Sequence, residues 1–444
     1  MDSLIPSFGN LAFTLVAFVA ALSIIVAIHE YGHYIVGKWS GIKADVFSIG
    51  FGPVLASKMD RHGTRWQIAA IPLGGFVKFS GDADAASAGS DAEMIHQMTP
   101  AELRATMHGA PLWARAATVA AGPIFNFILS LILFGLLLSI RGVASDPMTI
   151  ERVLAQPGAE IGIEAGDVIL QIDGQDVPEI EGFGAFSDQL TPRPVLDYTV
   201  ERAGRIMTVP GPWLYPTVAH SITPGSAADD AGLVEGDAIL AVDGVDIVDF
   251  DQLRDVVGGS DGKELTIDVW RAGETFQAIM TPQRRDLPLA EGGFETRWLI
   301  GITGGLAFEP MRMRPGVIEA VSYGADQIWF IMTSSISGLY HMATGQISTC
   351  NMSGPIGIAE VSGQAASDGW MSFFWFIAVL STAVGLLNLF PIPVLDGGHL
   401  VFHAWEAITG HPPNDRVLHY LMAGGLTILL ALMVFATTTD IFCP

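Results

Sequence analysis

The sequence predicts a polytopic α-helical membrane protein with a soluble α+β insert, and three observations support this class. Half of its 444 residues are hydrophobic and only 15% are charged, whereas soluble globular proteins carry about 25% charged residues. Four stretches without Asp, Glu, Lys or Arg reach about 20 residues, the length that spans a bilayer. Residues 143–316 carry a net charge of −17 out of −24 for the whole chain, so the charge is concentrated between the apolar segments.

The uncharged stretches define the predicted spans. The first lacks a basic n-region and a small-residue cleavage site, so we expect a retained helix rather than a signal peptide. A fifth stretch, 327–349, is diluted by Ser, Thr, Gly and His341, and we expect an interfacial amphipathic helix there. The four predicted spans are residues 3–28, 116–140, 369–395 and 417–439.

Basic residues near the span ends predict the orientation. Arg141 and Arg152 lie on the side of the insert, whereas the opposite side carries Lys38, Lys43, Arg104, Arg115 and Arg416. This asymmetry predicts a cytoplasmic loop before the second span and an acidic insert outside the cell. The net charge of −24 also argues against nucleic acid as a partner, because phosphate binding needs clustered Lys and Arg.

The acidic insert contains an internal repeat. Gly162, Gly166, Asp167 and Gly174 each recur 70 residues later, which indicates two copies of one structural unit. Each copy alternates apolar residues towards an Asp-Gly turn, as a strand that enters a hairpin does. The pattern resembles the core of a PDZ domain in its circularly permuted bacterial form. PDZ domains accept a peptide C-terminus as an added strand, and a steric screen without a ligand is an equally open interpretation.

A metal-binding motif ends the first span. His29-Glu30-Tyr31-Gly32-His33 is an H-E-x-x-H sequence, and residues i and i+4 of a helix share one face, so both imidazoles can bind one Zn²⁺. Glu30 then lies beside the metal as a general base for water. The alternative is a packed histidine pair, but three ionisable residues inside a membrane helix are costly and usually functional.

A catalytic zinc needs a third protein ligand and one open position. Asp396 is the candidate, because it ends a stretch of 27 residues without a charge; a capping role at the membrane interface is the alternative. His399 and His403 are rival ligands, but no Glu lies beside His399, and Gly397-Gly398 argues against a continuous helix there.

Topology supports four spans. Ligands of one metal lie at the same depth, so the spans that carry His33 and Asp396 must run in the same direction. That condition holds if 116–140 is the one span between them, which requires 327–349 to be interfacial.

The paired motifs resemble the site-2 protease family of intramembrane zinc metalloproteases. The similarity rests on H-E-x-x-H in the first span and on N-x-x-P-x-P-x-L-D-G at residues 388–397, and it extends over roughly residues 20–400. The tandem PDZ-like insert is similar to that of the bacterial regulator of sigma-E protease branch. The resemblance implies that His29, His33 and Asp396 bind one Zn²⁺ and that Glu30 is the catalytic base.

The resemblance also implies substrate-handling residues. Asn388, Pro391 and Pro393 match the family's substrate-handling segment, where prolines break the helix beside the metal. Asn126 is a polar residue in the second span, and both support of the transition state or substrate and helix packing are open for it.

A β element is expected in the cytoplasmic loop. Residues 65–79 predict two short strands around Pro72–Gly75, similar to a membrane-associated β element of the family. We expect Gly75 and Phe76 near an edge that pairs with unwound substrate, and a purely structural hairpin is the alternative.

The resemblance implies cleavage of the transmembrane segment of a single-pass membrane protein after a first external cut. The implied substrate is an anti-sigma factor in an envelope stress response, and the implied location is the bacterial inner membrane. The PDZ-like domains would be periplasmic, with the zinc site near the cytoplasmic side of the lipid bilayer. Two rivals are a non-enzymatic membrane-anchored PDZ scaffold and a zinc transporter; the intact zinc motif argues against the first, and the scarcity of further intramembrane His or Asp against the second.

The predicted fold is therefore a polytopic α-helical membrane protein with four transmembrane helices and two inserted PDZ-like α+β domains. Cys350 and Cys443 are expected to be unpaired thiols, although they pair if both face an oxidising space. The predicted segments are 1–36 (first span with the zinc motif), 37–112 (cytoplasmic loop), 113–141 (second span), 143–215 and 216–283 (PDZ-like domains), 284–368 (linker and interfacial helices), 369–398 (third span with Asp396) and 415–440 (fourth span).

Overall fold

The computed structural model describes residues 8–82, 94, 97–157, 161–223, 225–289 and 293–442. The chain divides into two compact units: a mostly helical unit, Met1–Leu138 with Gly316–Pro444, and a β-rich unit, Ser139–Pro315. The β-rich unit is one continuous insertion in the helical unit, in agreement with the predicted order of membrane part, acidic insert and membrane part.

The helices of the described residues are, in chain order, α1 (Phe8–Trp39), α2 (Pro100–Arg104), α3 (Leu112–Arg141), α4 (Phe183–Ser187), α5 (Ala227–Asp230), α6 (Phe250–Gly258), α7 (Val317–Ala343), α8 (Pro355–Ser367), α9 (Trp370–Asn388), α10 (Asp396–Thr409) and α11 (Asp415–Phe442). Short 3₁₀ turns occupy Ile180–Gly182 and Thr349–Asn351.

Four of these helices are long and apolar enough to cross a membrane, among the residues that the structure describes. They lie within α1, α3, α9 and α11, so the predicted number of spans agrees with the structure. The predicted bounds of two segments were wrong. α7 runs from Val317 to Ala343 rather than over 327–349, because Glu319 and Asp326 are accommodated in the helix. The apolar stretch 369–395 is not one helix, since α9 ends at Asn388.

Glycines allow the membrane helices to approach closely. A Cβ atom on Gly32 of α1 would lie 2.5 Å from the carbonyl oxygen of Ala121 in α3, and one on Gly385 of α9 would lie 3.2 Å from the carbonyl oxygen of Pro123. Small residues at such contacts are the usual means by which helices associate in lipid. α3 is therefore packed between the two helices that lead to the predicted metal ligands.

The loop between α1 and α3 forms a sheet of two long bent strands, β1 (Ala44–Met59) and β2 (Arg65–Phe79). The prediction covered only residues 65–79 and placed two short strands there, whereas these residues form the single bent strand β2. Ile49 lies opposite both Gly75 and Ile68, so the first half of β1 is flanked by both halves of β2. At the root of the sheet, Phe47 and Tyr34 belong to one buried cluster with Ala114 of α3, which fixes the sheet against α1 and α3.

The strands of the β-rich unit are, in chain order, β3 (Val143–Ala144), β4 (Ile150–Val153), β5 (Val168–Ile172), β6 (Gln175–Asp176), β7 (Val195–Arg202), β8 (Arg205–Pro212), β9 (Ser221–Ile222), β10 (Ala238–Val242), β11 (Val245–Asp246), β12 (Leu265–Arg271), β13 (Glu274–Met280), β14 (Gln283–Pro288), β15 (Phe294–Leu299), β16 (Ile302–Thr303), β17 (Phe308–Pro310) and β18 (Arg312–Met313).

The sequence repeat corresponds to two sheets of equal design. The first has the strand order β6-β5-β7-β8 and the second β11-β10-β12-β13, and each covers its own apolar cluster. The repeated Asp-Gly pairs form the turns after β5 and β10, with φ of 52° at Asp173, 76° at Gly174, 49° at Asp243 and 78° at Gly244. Two successive positive φ values are the requirement of a tight hairpin turn, which Asp-Gly meets at low cost.

The second repeated feature is a buried aspartate held by an arginine. In the first copy, Arg202 makes a double hydrogen bond to Asp167, at 2.7 and 2.8 Å, and a further one to the carbonyl oxygen of Gly162. Burial raises the pKa of Asp167, but hydrogen bonds from Arg202 and from the amide of Glu164 outweigh it and hold the pKa below its ordinary value.

The second copy repeats this contact. Arg271 makes two hydrogen bonds of 2.6 Å to Asp237 and one of 2.9 Å to the carbonyl oxygen of Gly232. Two of the repeated residues, a glycine and an aspartate, thus accept hydrogen bonds from one arginine in each copy. The repeated glycine and aspartate therefore have a structural role as acceptors for an arginine. The repeat pattern alone does not reveal this role, because the arginines are not among the residues that recur 70 positions later.

Two predicted features need correction. Residues 284–315 are not a linker, because β16 pairs with β9 and β17 pairs with β4, and they belong to the β-rich unit. Cys350 is disulfide-bonded rather than a free thiol, whereas Cys443 lies outside the described residues.

The two Asp–Arg contacts should stabilise the two copies separately. Arg202→Gln leaves a buried carboxylate without its charged donor, which costs about 1.5–3 kcal/mol. Hydrogen exchange of the full-length protein in detergent should then become faster in β5 and β7 while β10 and β12 keep their rates. Arg271→Gln is the matched control and should give the reverse. Equal acceleration in both copies for either variant would contradict the account.

Candidate active site

The three candidate metal ligands come from two helices that are far apart in sequence. His29 and His33 lie four residues apart on α1, so both side chains point to one face of that helix. Asp396 lies in the first turn of α10. The segment between α9 and α10 contains Pro391 and Pro393, which interrupt the helix and allow Asp396 to turn towards α1.

The start of α10 corrects one prediction. Gly397 and Gly398 do not interrupt a helix but lie inside α10. They are needed for close packing, because a Cβ atom on Gly397 would lie 2.3 Å from the carbonyl oxygen of Leu389, and one on Gly398 would lie 2.3 Å from that of Ile392. The chain that reverses before Asp396 therefore folds directly against the first turn of α10.

The ligand atoms converge on one point. Oδ2 of Asp396 lies 3.1 Å from Nε2 of His29 and 3.5 Å from Nε2 of His33, and the two Nε2 atoms are 3.2 Å apart. Oδ2 of Asp396 is buried and has no hydrogen-bond partner. Among the described residues, this is the one group of three such side chains that could hold a metal ion. Two imidazoles and a carboxylate are a donor set that suits Zn²⁺.

The rival ligands do not join this group. His399 and His403 lie further along α10, and neither belongs to the converging set.

Asn388, predicted to handle substrate, donates a hydrogen bond of 3.0 Å to the carbonyl oxygen of Val384 within its own helix. Pro393 packs against α11, where a Cβ atom on Gly425 would lie 3.0 Å from its Cδ.

Backbone groups orient the ligands from behind. Nδ1 of His33 lies 2.8 Å from the carbonyl oxygen of Thr118 in α3. A carbonyl only accepts, so Nδ1 carries the proton and Nε2 keeps its lone pair for a metal. Thr118 could not be predicted from the sequence, because its contribution comes from the backbone.

α3 packs closely against the two histidines. A Cβ atom on Gly122 would lie 2.4 Å from Nε2 of His33 and 2.7 Å from Cε1 of His29. A residue with a side chain would not fit at position 122, because the two imidazoles occupy the space that its Cβ atom would take. The sequence carries no signal for this contact, because it depends on how α1 packs against α3.

Glu30 lies next to the sheet formed by β1 and β2. A Cβ atom on Gly75 would lie 3.1 Å from Cγ of Glu30, so the second half of β2 passes directly over this residue. The ring of Phe76 stacks on Phe51 of β1 at a centroid distance of 6.1 Å.

An ion pair anchors the helix that carries Asp396. Arg115, near the start of α3, makes two hydrogen bonds to the carboxylate of Glu406 in α10, at 3.0 and 2.5 Å. Both side chains are less than one-fifth exposed. This two-point contact fixes α10 relative to α3. It could not be predicted from the sequence, because no pattern links two residues so far apart.

Comparison with known proteins identifies the family. The sequence model of the family described as "Peptidase family M50" matches residues 17–432 of this chain. The chain belongs to peptidase family M50. This is the site-2 protease family, so the resemblance inferred from the motifs is confirmed.

Similar proteins cover the M50 chain almost completely. A protein of Agrobacterium fabrum, provisionally named a zinc metalloprotease, is 36% identical over 445 residues, which are 99% of each chain. One of Rhizobium meliloti with the same provisional name is 37% identical over 433 residues, 97% of each chain. The Regulator of sigma E protease of Salmonella typhimurium is 31% identical over 464 residues, 97% of this chain and 99% of the relative.

These similarities determine the class of activity. The M50 chain is an integral membrane zinc metalloprotease, and its cofactor is Zn²⁺. The converging side chains of His29, His33 and Asp396 fit that ion, because two imidazole nitrogens lie within 3.5 Å of a buried carboxylate oxygen that has no hydrogen-bond partner. An enzyme is therefore favoured over a non-enzymatic scaffold and over a zinc transporter.

Enlarging Gly122 should damage the metal site. Gly122→Ala places a methyl group against both imidazoles, so the purified variant should hold less than half of the zinc bound by the wild type, as measured by elemental analysis. Gly424→Ala in α11 is the matched control, because its Cβ atom would meet nothing within 4 Å. Full zinc occupancy in Gly122→Ala would refute the proposed packing of the histidines.

Proposed function

We propose that this M50 peptidase hydrolyses a peptide bond within the transmembrane segment of single-pass membrane proteins. His29, His33 and Asp396 would hold one Zn²⁺, and Glu30 would be the general base. The observation that carries the proposal is the convergence of Asp396 on Nε2 of both histidines within a membrane-spanning unit, with Oδ2 at 3.1 and 3.5 Å.

Each side chain has a definite task in this reaction. Zinc, when bound, supplies a Lewis acid that polarises the peptide carbonyl and makes water nucleophilic near neutral pH. Glu30 accepts the proton of the attacking water and returns it to the leaving amine. His33 is fixed for its task by the Thr118 carbonyl, so its lone pair is oriented before metal or substrate arrives.

The substrate would reach the site as an extended strand along β2. A transmembrane helix hides its carbonyl groups in hydrogen bonds, so it must unwind before cleavage. A Cβ atom on Gly75 would lie 3.1 Å from Cγ of Glu30, so the second half of β2 passes next to the general base. A strand paired along Gly75 and Phe76 would thus present its backbone to Glu30. Asn388, Pro391 and Pro393 lie at the end of α9 and in the segment before Asp396, and they would contact the substrate next to this metal ligand.

The orientation inferred from basic residues has independent support. Cys350 is disulfide-bonded, and such bonds persist in oxidising compartments. Cys350 follows α7 on the same side of the four-span topology as the insert. We infer that the β-rich unit is periplasmic, that the protein lies in the bacterial inner membrane, and that the zinc site is near the cytoplasmic side.

The two repeated sheets would act as PDZ-like domains that control access. Their equal strand order and their common Asp–Arg contact support one domain type in two copies. A role as a screen against substrates with an untrimmed external domain is favoured, because the acidic insert would repel acidic domains as well as obstruct them. Capture of a peptide C-terminus is the second candidate. An anti-sigma factor would be the substrate, since the Salmonella relative is named as a regulator of sigma E protease.

Two substitutions separate the roles of base and ligand. Glu30→Gln should retain zinc but lower the cleavage rate of a model membrane substrate by at least about 10²-fold, because the base is removed. Asp396→Asn should lose zinc and activity together. Elemental analysis and a cleavage assay on the same preparations measure both. Zinc loss in Glu30→Gln, or full zinc in Asp396→Asn, would contradict the assigned roles.

Removal of the insert tests the screen. The amide of Ser145 bonds to the carbonyl oxygen of Met311 at 2.8 Å, so a short Gly-Ser turn can replace residues 146–310 without breaking the pairing of β3 with β18. Cleavage of a substrate with a folded external domain should then appear, while that of a trimmed substrate stays within about twofold. Slower cleavage of the trimmed substrate would favour peptide capture, and no change for either substrate would exclude both roles.

A further inference from the structure

Asn126 of α3 is a fully buried polar residue in the centre of the membrane unit. Its side-chain nitrogen Nδ2 lies 3.2 Å from Nδ1 of His29, and its Oδ1 is buried without a hydrogen-bond partner. From the sequence, support of the transition state or substrate and helix packing are both open for Asn126. In the structure, its side chain instead lies behind a candidate metal ligand.

Helix packing at this point does not need the Asn126 side chain. Ser381 of α9 donates a hydrogen bond of 2.9 Å to the backbone carbonyl oxygen of Asn126. The hydroxyl of Ser130 lies 3.0 Å from the same oxygen and 2.8 Å from the carbonyl oxygen of Ala378, and its single proton is shared between these two acceptors. The polar contacts that join α3 to α9 are therefore made by the backbone of Asn126 and by two serines, which leaves the amide group without a packing task.

The chemistry of His29 determines which amide atom faces it. Nε2 of His29 can bind a metal only with a free lone pair, and in a neutral imidazole Nδ1 then carries the proton. The group opposite Nδ1 must accept this proton in a hydrogen bond. An amide nitrogen cannot accept, whereas an amide oxygen can. The two orientations of an asparagine amide have nearly the same shape, so a half-turn about χ2 brings Oδ1 to Nδ1 without other movement.

We propose that Asn126 is a positioning residue for zinc: its amide oxygen accepts the Nδ1 proton of His29 and fixes the ring with Nε2 towards the metal. His29 then has the same arrangement as His33, whose Nδ1 faces the Thr118 carbonyl at 2.8 Å. α3 thus orients both histidines, one through a side-chain oxygen and one through a backbone oxygen. The proposal rests on the assignment of His29 as a ligand in the proposed function.

Zinc affinity of the full-length protein in detergent tests this role. Asn126→Leu keeps the approximate volume but removes the acceptor, and it should raise the Kd for zinc by about 10–100-fold, the usual effect of losing a partner behind a metal ligand. Asn126→Asp keeps an acceptor at the same place and should stay within a few-fold of the wild type. The Kd is measured by competition with a chromogenic chelator.

A control and a spectrum distinguish positioning from packing. Ser381→Ala removes a contact between α3 and α9 without changing the amide, so it should keep the zinc Kd of the wild type even if thermal stability falls. The visible absorption bands of the cobalt-substituted protein should shift in Asn126→Leu but not in Ser381→Ala, because they report the ligand geometry.

Each result bears on one claim. A wild-type zinc Kd in Asn126→Leu would overturn the proposal. If Asn126→Leu does not fold, the same affinity loss in Asn126→Asp as in His29→Ala would overturn it, since an acceptor would then be of no use. Undiminished zinc binding in His29→Ala would instead refute the proposed function, whatever the Asn126 variants do.

Discussion

The constraint on which the rest of the structure depends is the meeting of three ligand atoms from two distant segments. Two imidazoles on α1 and one carboxylate on α10 must reach the same point inside a membrane unit. α9 cannot continue as a straight helix to Asp396, so it ends at Asn388 and the chain reverses before α10. Gly397 and Gly398 make this reversal possible, because side chains there would collide with the carbonyl groups of the turn.

α3 is the element that orients the histidine side chains at this point. It contributes no metal ligand, yet Thr118 contacts His33, Asn126 contacts His29, and Gly122 lies against both histidines. The same helix is tied to α9 by serine hydrogen bonds and to α10 by Arg115. Because binding and catalytic groups act best on rigid supports, the helix between the ligand-bearing segments determines how well the site is formed. The β-rich unit has its own cores and is stabilised separately.

The sequence predicted the parts of the protein that follow a simple period. Uncharged stretches predicted the four spans, the spacing of His29 and His33 predicted a metal pair, and the 70-residue repeat predicted two equal units. It failed where distant residues complete an element. β1 was missed because its partner is the bent β2, and β16 and β17 were assigned to a linker because short strands carry no pattern of their own. The end of the third span was wrong since apolar composition does not distinguish a helix from a reversed segment.

Contacts that depend on a backbone group or on the absence of a side chain could also not be predicted from the sequence. The Thr118 carbonyl and the place of Gly122 become visible only when α1 and α3 are packed together.

X-ray absorption at the zinc edge of the purified full-length protein tests the central claim most directly. The account predicts one zinc per chain with two imidazole nitrogens at about 2.0–2.1 Å, a carboxylate oxygen at about 2.0–2.2 Å and one further light atom. A third imidazole would transfer the role of Asp396 to His399 or His403, and sulfur scattering or the absence of zinc would contradict the site altogether.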